Sequence, residues 1–168
     1  MKKTSYTCKC CGKVHDGLPT SYGVDAPEQW YGLPEAERAK RGELGTDQCV
    51  IDNEFFYVKG NIRIPIIGEA DPFVWTVWVS LSHDSFDRAS HQWEKRGREK
   101  EPPYFGWLST SLPVYPDTLN LKTSVITRPK GIRFHIELQP TDHPLAVEQR
   151  DGITWERVQG IAEKLLHP

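Results

Sequence analysis

The stretch Phe73 to Leu81, FVWTVWVSL, sets Phe73, Trp75, Val77, Val79 and Leu81 two residues apart. Successive side chains of an extended strand point to opposite faces, so this spacing gathers five large apolar groups on one side and commits that side to burial. Two further segments keep the same period. Ile62, Ile64 and Ile66 share a face in NIRIPIIG, and in IRFHIELQ the residues Ile132, Phe134, Ile136 and Leu138 alternate with Arg133, His135, Glu137 and Gln139. TLNLKTSVITR, Thr118 to Arg128, fits a fourth strand, while Pro65, which has no N–H for a ladder, places the first at an edge or on a bulge. Burial on one face with short connections predicts an antiparallel sheet.

Helices supply the cover. Phe86, Ala89 and Trp93 recur at helical spacing between Asp84 and about Arg98, and beyond Thr154 the residues Trp155, Val158, Ile161, Ala162, Leu165 and Leu166 form a wide apolar stripe. A short helix follows Pro34, with Glu35 and Glu37 in its first turn, Arg38 to Arg41 in its last and Gly42 as its stop. PTDHPLAVEQRDG reads as another, capped by Asp142 or His143, with Pro144 in the first turn and Gly152 at the end. The expected fold class is α+β, an antiparallel sheet packed by helices with an N-terminal zinc-knuckle-like element. At 168 residues the chain fits one domain, 1–168, with 1–48 a metal-binding arm and short helix and 49–168 the α+β body.

The arm is poor in apolar residues but rich in sulfur. YTCKCCGKVHDGLP holds three of the four cysteines and a histidine. Cys8 and Cys11 are separated by two residues and followed by Gly12, the spacing at which a tight turn aims two thiolates at one ion, and His15 lies four residues on. Cys49 stands where the body begins, so Cys8, Cys11, His15 and Cys49 together make a tetrahedral Cys₃His zinc site with Cys10 to spare. Such a site has no open position for substrate, and structural zinc contributes on the order of 10 kcal/mol or more in apparent binding energy, enough to fasten a weak arm. A dithiol redox pair or unliganded thiols are the competing uses of these cysteines. Asp16, or a histidine from elsewhere, is able to take the place of His15.

Other polar groups are less specific. His135, Glu137, Asp142 and His143 supply the makings of an acid/base site for a hydrolase or transferase, though a solvated strand face and a helix cap explain the same letters. EPPYFGWLSTSLPVYP places Tyr104, Phe105, Trp107 and Tyr115 among prolines and predicts an aromatic loop. That loop either closes one end of the sheet or presents apolar surface to a protein or small-molecule partner. Walker A, GxGxxG, GxSxG and HExxH motifs do not occur. A net charge of −2 and a pI near 6.3 give no broad positive field, which disfavours general nucleic-acid binding and anionic membranes. No apolar run approaches the ~18 residues of a spanning helix and no apolar segment follows Lys2 and Lys3, so the expected location is cytoplasmic.

Taken in order, YTCKCCGKVHDGLP, DQCVIDNEFF, IRIPIIG, FVWTVWVSLS, EPPYFGWLSTSLP, TLNLKT and IELQPTDHPLAVEQRDGIT resemble a bacterial family known as domain of unknown function family 2199. The likeness runs nearly the whole length. It implies that Cys8, Cys11, His15 and Cys49 act together, and it carries no activity. Thr76, where the family's glycine is expected, and the lack of a histidine near Ile126 depart from its pattern and weaken a catalytic role for that region.

Overall fold

A computed structural model describes residues 5–167. Its centre is a long antiparallel hairpin of β6 (Phe55–Ile64) and β7 (Phe73–Leu81), paired continuously from Phe56↔Leu81 to Ile64↔Phe73. From β7 the sheet continues through β8 (Tyr104–Leu108), β9 (Lys122–Ile126) and β10 (Phe134–Leu138), each antiparallel to the one before. β10 then returns to β6, pairing Phe134 with Gly60 and His135 with Asn61. Every antiparallel step reverses direction, so the fifth strand of such a meander runs the same way as the first. Closure is therefore parallel, and the sheet is a five-stranded barrel. The expectation of an antiparallel sheet is corrected to this extent: two pairings, β6–β10 and the one that joins β3 (Ser21–Gly23) to β7, are parallel. One-sided burial does not distinguish an open sheet from one curled on itself, and closure removes the exposed edges an open sheet would leave.

Besides each other, the two long strands each serve two further neighbours. Phe55 to Val58 of β6 pair with β5 (Gln48–Ile51), beyond which lies β4 (Gly42–Leu44), while the later residues of β6 meet β10. A barrel this small brings strands very close at particular points. A Cβ on Gly60 would lie 2.6 Å from Ile136 Cδ1, and one on Gly106 would lie 2.3 Å from Val79 Cγ1, so glycine suits the points where a neighbouring strand's side chain crowds the backbone.

Alternation delivers the core as expected. Ile62, Ile64, Phe73, Trp75, Val77, Val79, Phe134 and Ile136 are all buried in one cluster, whereas Ile132 lies outside β10 and is exposed. Trp78 points the other way yet is also buried, packed with Leu33, Cys49, Ile51 and Tyr57, because the arm folds back over that face. Its indole N–H donates to Val24 O at 2.9 Å.

The helices are α1 (Glu28–Gly32), α2 (Glu35–Arg41), α3 (His83–Gln92), α4 (Pro144–Asp151) and α5 (Trp155–Leu166). The Ser82, His143 and Thr154 side chains accept backbone N–H bonds at the starts of α3, α4 and α5. α3 ends short of the expected Arg98, at Gln92; Trp93 still packs on Phe134 with ring centroids 5.6 Å apart. Tyr104 to Leu108, expected to be a loop, is strand β8: Tyr104, Gly106 and Leu108 turn inward while Phe105 and Trp107 face out. Among the described residues no helix is long and apolar enough to cross a membrane.

Candidate metal centre

β1 (Ser5–Thr7) and β2 (Val14–Asp16) form a two-stranded hairpin, with Tyr6 opposite His15. Its turn is a knuckle. The Cys8 N–H donates to Lys13 O, the Gly12 N–H donates back to Cys8 O, each at 2.9 Å, and Gly12 holds a left-handed φ of 69°. This turn crowds Cys8, Cys10 and Cys11 together, and the Cys8 and Cys10 sulfurs lie 2.8 Å apart.

The fourth donor comes from the other end of the chain. His167 caps α5, its N–H bonded to Glu163 O, and its ring nitrogen joins the three cysteine sulfurs in a group whose ligand atoms all lie within 4.8 Å of one another. Cys8, Cys10, Cys11 and His167 are thus close enough to hold a metal ion. His15 borders the same group, with Nε2 3.4 Å from Cys11 Sγ and its ring between those of Tyr6 and His167, at 5.4 and 5.0 Å.

Helix α5 grips the knuckle independently of those sulfurs. Glu163 Oε1 accepts from the Lys9 N–H at 2.8 Å and from Gln159 Nε2 at the same distance, and Gln159 Nε2 also donates to Thr7 O at 3.0 Å. Tyr6 and Cys8 bury against Ala162, with Leu18 alongside. The Lys9 N–H, followed by Gln159, holds the Glu163 carboxyl below its usual value, so it stays ionised against the hairpin.

The thiols themselves are unequal. Burial pushes Cys8 up, but the Cys10 side chain together with the backbone N–H groups of Cys11 and Cys10 outweighs it and leaves Cys8 below the ordinary thiol value. Cys10, hydrogen-bonded to Cys8 and partly desolvated, is pushed up to about 11. A bound cation would favour the thiolate at both sulfurs and displace any proton held between them.

Of the four ligands expected from the sequence, Cys8 and Cys11 stand in this group and His15 beside it. Cys49 stands apart. It lies in β5, fully buried among Leu33, Ile51, Tyr57 and Trp78, and burial alone pushes its thiol up to about 12. Cys10, counted as spare, and His167, at the end of an amphipathic helix, complete the group that lies close enough to hold an ion. The cysteine crowding contained a signal for Cys10; no spacing rule ties residue 167 to residue 8.

The remaining candidates divide as well. Tyr104 and Tyr115 are buried, whereas Phe105 and Trp107 are 45% and 41% exposed and meet edge to face at 5.0 Å. The His143 ring is engaged as a cap: Nδ1 accepts from the Leu145 N–H at 3.1 Å, and Nε2 faces Asp117 O at 3.0 Å. His135 and Glu137 line one cavity that includes neither Asp142 nor His143.

No curated protein and no solved structure matches this chain. A family model described as an uncharacterised protein conserved in bacteria (DUF2199) matches residues 7–153, a span that includes Cys8, Cys10 and Cys11 and stops before α5. The chain belongs to that family.

Proposed function

We propose that the protein is a zinc-stabilised binding module, a single unit over residues 1–168 in which Cys8, Cys10, Cys11 and His167 hold the ion. The observation that carries this reading is the convergence of three sulfurs and one imidazole within 4.8 Å from opposite ends of the chain. Three thiolates and an imidazole suit tetrahedral zinc, whereas calcium and magnesium take oxygen donors. Four protein ligands fill the coordination sphere, which makes the ion a fastener between hairpin and helix and not a catalyst. Binding falls to the outer face of β8, where Phe105 and Trp107 leave ring surface in water with Lys122 Nζ 6.0 Å from the Trp107 ring. The acid/base alternative has less support, because the His143 ring is spent on capping α4.

Elemental analysis of purified protein, paired with thermal melts before and after chelation, tests the metal. One zinc per chain and a lower melting temperature after chelation are expected; metal-free protein with an unchanged melt would refute the reading.

A further inference from the structure

A second site lies where the barrel closes. A cavity of about 350 Å³ opens between the end of β6, the outer face of β10 and helix α4, lined on its polar side by Arg63, His135, Glu137 and Arg150. His135 pairs in register with Asn61, so Glu137 and Arg63, each two residues further on, fall on the same face of adjacent parallel strands. They do not neutralise each other. Among the described residues neither has an ion-pair partner, and the sole partner of Arg150 is its neighbour Asp151, at 3.3 Å. His135 Nδ1 is buried without a hydrogen-bond partner. Gln149 is not available to it, since its amide bridges Ile136 O and the Leu138 N–H. Pro65, Pro140 and Ala146 supply apolar lining to the same cavity.

A simple anion placed here would meet Glu137, and a simple cation would meet two guanidinium groups. A ligand bearing both charges satisfies all three. We propose that this cavity binds a small aliphatic zwitterion, a free α-amino acid, with its carboxylate on Arg63 and Arg150 and its ammonium on Glu137. Its alkyl group packs on Pro65, Pro140 and Ala146. The volume sits at the small end of ligand pockets and suits a molecule of this size. Fixed charges of both signs distinguish the whole ligand from either half.

The test is an amide NMR titration of the full chain with L-alanine, L-valine and L-leucine, and with isovalerate and isoamylamine as the two halves of leucine. Saturable shifts at Arg63, His135 and Glu137 are expected with at least one amino acid, and not with either half at the same concentration. R63A and E137Q, both at exposed positions, should each weaken binding about ten-fold while leaving the spectrum of the barrel core in place. Absence of saturable shifts, equal binding of a half, or unchanged affinity in E137Q would overturn the proposal.

Discussion

Single residues separate sulfur proposed to coordinate from sulfur that packs. Cys10→Ser removes a proposed ligand from an exposed knuckle, so bound metal should fall well below one ion per chain, as read by elemental analysis. Cys49→Ser instead sets a hydroxyl in an apolar cluster; metal content should hold while urea denaturation records a loss of about 1–3 kcal/mol. A reversed pattern would return Cys49 to the ligand set. His135 yields a prediction in pH. Burial, opposed more weakly by Glu137, holds its imidazole below the ordinary 6.5. The unfolded chain therefore takes up a proton at a higher pH than the folded one, and in that window unfolding binds protons. Stability is complete above about pH 6.5 and is lost as pH falls toward the folded value. His135→Gln should flatten that part of the profile, measured as the urea midpoint against pH for both proteins.

At the scale of elements, glycines mark where packing is tight and where it is not. Gly106→Ala would force a methyl to within 2.3 Å of Val79 Cγ1 and 2.9 Å of Ser80 O, at a cost of about 1–3 kcal/mol. Gly160 lies inside α5 with nothing within 4 Å of its added Cβ, so Gly160→Ala should stabilise by about 0.5–1 kcal/mol. Denaturation midpoints that move in opposite directions check both. Period and capping chemistry made most elements legible: the Phe73 to Leu81 face, the Thr154 cap and the Pro144 start all lie where their residues indicated. β8 was hidden because Pro102 and Pro103 precede it and Gly106 interrupts it, each a loop signal taken alone. Closure was hidden for a different reason. Pairing of β10 with β6 depends on the register of five strands together, which no local pattern encodes.

For the whole molecule, the candidate metal group joins regions that no short-range rule connects. The knuckle was legible from Cys8, Cys11 and Gly12, because a turn is a local object. His167 was not, since its position follows from how α5 lies against the hairpin through Gln159 and Glu163. Omitting residues 167–168 should lower metal affinity and speed amide hydrogen exchange in residues 5–16, with barrel amides such as those of Val77 and Ile136 still protected. Equal protection of the hairpin in both proteins would show that α5 alone holds it. The knuckle-to-helix junction also has a mechanical consequence. Traction applied to residue 5 and residue 167 in opposite directions would load the contacts of β1 with β2 and α5 first, leaving the barrel slack until that clasp gives way.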